Sequence, residues 1–323
     1  MKPLAPLSLD LDNLWAYQMI AGDPSWQDRG SYIEQFVPLA LDLLAARDLK
    51  ITFFVVGVDA RDPRHREALT AIAAAGHEIG NHSDRHEPWL HRYDPAELAT
   101  ELDRSHHSIG EATGTAPIGF RGPGYSITDD AVALLLKLGY QYDASVLPTY
   151  LGPLARRFYF RSTGLDRKQQ EERSALFGTW RDGRAPIRPH LWPVEGEALV
   201  EVPVTTLPVA KVPFHPSYLL YIAARSPRLS ETYLASALWM CKLARIGPSL
   251  LLHPLDLMGG DEVPGLSFFP AMQTPGALKR ERIGRYLDQL QARYELTSLG
   301  TYARLARSRL AERAAGEPAA RPR

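Results

Sequence analysis

Leu7-Ser-Leu-Asp-Leu-Asp-Asn13 is an apolar run that stops at acidic residues. It reads as a strand running into a site, and Asp10 and Asp12, two apart at its end, can face the same way. Beyond it, Ser31 to Arg47 places Ile33, Phe36, Val37, Leu39, Ala40, Leu43 and Leu44 at helical spacing, and Ile51 to Val58 is a β-branched and aromatic run closed by Gly57 and Asp59. Together they make a strand-helix-strand unit. The pattern repeats: His65 to Ala75 is a helix ended by Gly76, His77 to Gly80 a short strand, and Pro95 to Thr113 a helix ended by Gly114. Asp129 to Leu138 with Gly139 behind it is the next helix, and Tyr140 to Asp143 the next strand. Repeated βα units predict a mainly parallel sheet with the polar residues that end its strands gathered on one face. Asp10, Asp12, the His82 segment, Arg121, Asp143 and His253 are expected to meet there.

From Pro148 to Leu199 the pattern lapses into Pro, Gly, Arg and aromatics, including Arg156 to Arg161, Trp180 and Trp192. This stretch, 148–199, is expected to be a loop-rich excursion over the mouth of the site. Val200 to Val204 resumes as a strand, Ser230 with Glu231 is expected to cap a helix carrying Leu234, Ala237, Leu238 and Cys241, and Ser249 to Leu252 is the last clear strand. Lys279 to Arg293 is a closing helix. Residues 1–310 read as one domain, and 311–323, small, charged and proline-bearing, as a disordered tail.

The 323-residue chain is 45% hydrophobic, enough for a substantial core. Lys+Arg and Asp+Glu both total 37, so no net field draws in nucleic acid. One cysteine, Cys241, allows no intramolecular disulfide, and carboxylates at Asp10 and Asp12 interrupt any apolar leader, which together predict a cytoplasmic protein. No stretch approaches the ~18 to 20 continuous apolar residues of a spanning helix, although peripheral membrane contact stays open.

His82 and His86, four apart, would bring both imidazoles to one side of a helical turn. Alone, two of ten histidines at that spacing mean little. With the aspartate pair they form an Asp, His, His set that leaves positions open for water and a substrate oxygen, as a catalytic site requires, with zinc the default and Co, Ni or Mn the other candidates. The second carboxylate is then available as a general base.

In its company the chain resembles the NodB-type polysaccharide deacetylases, carbohydrate esterase family 4. Ile51-Thr-Phe-Phe-Val-Val-Gly57 is similar to the family's second-strand signature, Gly76-His-Glu-Ile-Gly-Asn-His-Ser-Asp-Arg-His86 to its metal-histidine motif, Phe120-Arg-Gly-Pro-Gly-Tyr125 to its Arg-X-Pro-Tyr motif, and Leu250-Leu-Leu-His253 to its final Leu-X-X-His. The resemblance runs in order over roughly residues 7–256 and implies a distorted (β/α) barrel of the NodB homology type. It also implies metal-dependent hydrolysis of an N-acyl, most simply N-acetyl, amide on a sugar. Asp12, His82 and His86 would bind the metal, Asp10 would be the base, Arg121 would pair with Asp10, the Tyr125 N–H would stabilise the oxyanion, and His253, held by Asp143, would protonate the leaving amine.

The chain departs from that pattern in three places. Leu11 separates aspartates that are adjacent in the family, so base and ligand could exchange. Gly124 stands between Pro123 and Tyr125. Pro254-Leu-Asp256 follows His253, so Asp256 competes with Asp143 to orient it. The expected substrate is a nucleotide-, lipid- or otherwise precursor-linked sugar. The alternatives are deformylation of a lipid-linked amino sugar, with the Tyr218-Leu-Leu-Tyr-Ile222 run meeting lipid, a small-molecule cyclic amide hydrolase, and an inactive carbohydrate-binding scaffold.

Overall fold

The computed structural model describes residues 2–154, 156–157, 167–172, 182–266 and 270–316. Strands β1 (Leu4–Asp10), β2 (Thr52–Val55), β3 (Glu78–Asn81), β4 (Gly119–Phe120), β5 (Tyr142–Asp143), β6 (His190–Val194), β7 (Glu197–Glu201), β8 (Leu250–Leu252) and β9 (Glu295–Thr297) form one sheet. Their order is β6-β7-β5-β4-β3-β2-β1-β8, with β9 beside β1, and every pairing is parallel except the β6/β7 hairpin. No strand ladder joins β6 to β8 among the described residues. Instead the chain leaving β7 turns inward, and the Thr205 N–H donates to the Ser249 carbonyl at 2.9 Å, just before β8. The result is the expected distorted (β/α) barrel, drawn round but not laddered shut.

The first half follows its sequence closely. Helices α1 (Leu14–Ala21), α2 (Ile33–Ala45), α3 (Gly57–Ala60), α4 (Arg66–Ala74), α5 (Pro95–Thr113) and α6 (Asp129–Lys137) connect β1 to β5. α2 buries Ile33, Phe36, Val37, Ala40 and Leu44 of the stripe its spacing predicted, with Leu39 and Leu43 half-buried, against a sheet whose strands are apolar on both sides because helices cover them. Asp94 starts α5 with a reciprocal capping box to Glu97, and Gly114, at φ 71°, ends it.

The second half departs more. The last ten residues of the 148–199 stretch include β6 and the start of β7, and the Trp192 indole N–H donates to Asp129 at the start of α6, 2.8 Å away, so Trp192 is docked on a helix. Trp180 and residues 158–161 of the arginine/aromatic run lie outside the described residues. The helix expected to start at Ser230 begins a turn earlier, at Pro227, because Ser226 accepts the Leu229 N–H. Ser230 is internal and bonds the Leu219 carbonyl instead. Tyr218 to Ile222 lies in a helix, Pro216–Ala223, that buries Leu219 and Leu220 in the core, so these two leucines are not a lipid-facing pair. A final helix, Leu299–Gly316, carries the chain past residue 311, where a disordered tail was expected. No helix among the described residues is long and apolar enough to cross a membrane.

Candidate active site

β1 ends at Asp10, and Asp12 lies just beyond it; β3 ends at Asn81, followed by His82. The histidine pair is not on a helical turn as its spacing suggested. Ser83 and His86 both take left-handed backbone, at φ 65° and 56°, and the loop is fixed by side chains: Glu101 accepts the Asp84 and Arg85 N–H groups at 2.9 and 2.7 Å, and Ser83 Oγ accepts that of His86 at 3.1 Å. Strained backbone held by its surroundings is common at sites.

This loop carries both imidazoles to Asp12. One ligand atom from each of Asp12, His82 and His86 lies within 4.8 Å of the others, and all three residues are buried. His82 Nδ1–H donates to the Arg121 carbonyl at 2.6 Å, which leaves Nε2 to face Asp12 Oδ1 at 3.3 Å; His86 Nε2 is 2.9 Å from the same oxygen. Burial alone would raise the Asp12 carboxyl, but His86 and His82 outweigh it and hold it well below the usual carboxylate range. One carboxylate and two imidazoles converging with a partly fixed tautomer fit a divalent transition metal.

Asp10 sits beside the triad. Arg121 Nη1–H donates to Asp10 Oδ1 at 2.6 Å and to Ser8 Oγ at 2.7 Å, Nε–H donates to the Ala144 carbonyl at 2.9 Å, and the guanidinium lies 4.4 Å from the Phe54 ring centre. The cation is buried and aimed, as expected for a partner of Asp10. On the other side His253 Nε2 is 3.9 Å from Asp10 Oδ2. Burial opposes protonation of His253, yet the neighbouring Asp256 and the charges of Asp12 and Asp10 prevail and push it up to about 9. Its side chain stays 22% exposed, so it can be reached from the mouth.

Two expectations do not hold in this geometry. Asp143 does not orient His253: its carboxylate accepts the Ser145 N–H at 2.9 Å and the Ser145 hydroxyl at 2.6 Å. Because β7 pairs with β5 in register, Glu201 stands opposite Asp143, and burial together with that neighbouring carboxylate drives Glu201 well up, so it is held protonated. Asp256 takes the place beside His253. The Tyr125 N–H is also not offered to an oxyanion. It donates to the Gly122 carbonyl at 3.0 Å, closing a tight turn in which Gly124 (φ 60°) and Tyr125 (φ 64°) are left-handed, a consequence of the inserted glycine.

Residues that the motifs did not indicate also reach the site. His215, just before the Pro216–Ala223 helix, puts its ring 6.2 Å from that of His253; burial and that cation push it down to about 3, so it stays neutral. Ser217 Oγ is 3.4 Å from His253 Nδ1. They come from Phe214-His215-Pro216-Ser217, which has no strand periodicity to mark it, and only the packing of the helix against β8 brings it in.

An α/β barrel with an Asp, His, His cluster at the carboxyl ends of its strands defines the class. Residues 26–142 match the polysaccharide deacetylase family model, which supports the resemblance to the NodB-type polysaccharide deacetylases. It is 36% identical over 104 residues to a chitooligosaccharide deacetylase of Bradyrhizobium sp. (strain ANU 289), covering 32% of this chain and 46% of that protein. It is 34% identical over 104 residues to chitin deacetylase 1 of Cryptococcus neoformans var. grubii, covering 32% and 22%. The chain thus spans less than half the length of these relatives. In fold it is similar to a polysaccharide-deacetylase-type protein from Mycobacterium smegmatis, with a TM-score of 0.59, 20% identity, and 100% and 95% of the two chains covered.

Proposed function

We propose that this chain hydrolyses an N-acyl amide, most simply an N-acetyl group, on a sugar or a sugar-linked precursor. The observation that carries the reading is the position of Asp10, with one carboxylate oxygen bound by Arg121 and the other facing His253 beside the Asp12, His82 and His86 cluster. A divalent ion, zinc by default, held by those three would polarise the acyl carbonyl and acidify a water molecule. Asp10, held by the Arg121 guanidinium, takes the water's proton as the oxygen attacks the acyl carbon. His253, protonated and steadied by Asp256, gives its proton to the nitrogen as the C–N bond breaks, because an amine leaves poorly without one. The turn at Tyr125 supplies no backbone donor, because its N–H is taken by the Gly122 carbonyl.

The deciding experiment is a screen for released acetate and formate over N-acyl sugars in free, nucleotide-linked and lipid-linked forms. Release from one of these series, abolished by chelator and restored by zinc, is expected. Absence of release from all of them would overturn the reading.

A further inference from the structure

The two histidines of the cluster are not equally supported. Each needs a bare Nε2 to bind an ion, so each must carry its proton on Nδ1 and find an acceptor for it in a buried setting. His82 has one, the Arg121 carbonyl at 2.6 Å. His86 Nδ1 is buried with no hydrogen-bond partner among the described residues. In this structure His86 Nε2 lies 2.9 Å from Asp12 Oδ1, a distance at which a proton on Nε2 serves the carboxylate. Once Nε2 binds an ion, that proton belongs on Nδ1, and a buried donor appears.

An acceptor stands ready in the next layer. Asp59, on α3, is 3% exposed. Its Oδ1 accepts the Asn13 side-chain amide at 2.8 Å and the Trp15 indole N–H at 2.9 Å, while its Oδ2 is buried without a partner among the described residues. Trp15 meets the His86 ring edge-on, 6.4 Å between centres, so it touches both groups. The Gly57 and Val58 N–H groups donate to the Ser83 and Asp84 carbonyls, each at 2.9 Å, which fastens α3 to the turn carrying His86.

We infer that Asp59 is the positioning carboxylate of His86, its Oδ2 accepting the Nδ1 proton through one water, and so fixing the tautomer that binds the ion. The inference rests on the metal reading of Asp12, His82 and His86 above.

Asp59→Asn is the sharp test, since its side-chain oxygen can still accept from Asn13 and Trp15 while the other position becomes a donor that opposes Nδ1–H. The affinity of the full chain for Zn²⁺ is measured by competition with a chromophoric chelator. A loss of about 10- to 100-fold is expected for Asp59→Asn. His65→Leu, which removes the other unpartnered ring nitrogen nearby, is expected to bind Zn²⁺ as the wild type does. Equal affinity in Asp59→Asn and wild type, or loss in His65→Leu alone, overturns the role of Asp59 and leaves the metal site standing. A wild-type chain that takes up no Zn²⁺ overturns both. Should Asp59→Asn not fold, nitrogen NMR of the zinc-loaded wild type decides: a slowly exchanging His86 Nδ1 proton supports the role, and one exchanging freely with water overturns it.

Discussion

Asp256 holds His253 from two directions: one of its oxygens, Oδ2, accepts the His253 backbone N–H at 2.8 Å and lies 3.8 Å from Nδ1 of the ring. The carboxylate comes from three residues along the same chain, so backbone and side chain are set by one short turn, Pro254–Asp256. Asp256→Asn removes the charge and is expected to bring the His253 midpoint down from about 9 toward its ordinary ~6.5. The alkaline limb of kcat/KM should move down with it, and the rate at pH 8 should fall by up to about 30-fold, since a midpoint of ~6.5 leaves only ~3% of His253 protonated there. A limb that stays put in the pH-rate profile would count against His253 as the acid.

The same ionisation couples to folding. The folded midpoint of His253 is raised, so its contribution to stability is complete below ~6.5 and is lost as pH rises through about 9. Asp12 and Asp256 are depressed, so theirs is present above the ordinary carboxylate range and lost as pH falls through their lowered midpoints. Thermal melting of the chelated protein across pH should therefore weaken at both ends, and Asp256→Asn should flatten the alkaline decline.

Asp10→Asn should abolish turnover while leaving metal uptake at the wild-type level, because Asp12 and not Asp10 sits with the two histidines. Metal analysis alongside product release separates the two. Lost uptake would mean that the aspartates exchange roles.

Arg121→Met is expected to destabilise the protein by about 3–5 kcal/mol, since Asp10 would keep a buried charge without its cation. Zinc affinity should change little, because it is the Arg121 carbonyl that holds His82. Denaturant unfolding and chelator competition on the same variant check both halves.

Asp143→Asn should leave the His253 midpoint unmoved, as Asp143 bonds Ser145 rather than the histidine. NMR titration of His253 in that variant reads this directly.

The parts of the site legible in the sequence are those carried on strand ends. Period and punctuation placed β1, β2 and β3, and those strands deliver Asp10, Asp12 and His82. What the sequence concealed depends on contacts between distant segments. The pairing of β5 with β7 sets Glu201 against Asp143, and the Pro216–Ala223 helix brings in His215. Neither leaves a mark in local spacing. Tyr125 was misplaced for a local reason, since the extra glycine lets the turn close on its own N–H.

The junction of Thr205 with Ser249 gives the barrel a seam held by two hydrogen bonds, the Thr205 N–H to the Ser249 carbonyl and the Ser249 N–H to Thr205 Oγ1. Other neighbouring strands are stitched by ladders, whereas here one backbone bond and one side-chain bond join the two flanks. His253 hangs from one flank, four residues past Ser249, and Asp143 from the other, on the strand paired with β7. Parting along that line would widen the space between His253 and Asp143, while the ladders joining β1, β2 and β3 keep Asp12, His82 and His86 in place.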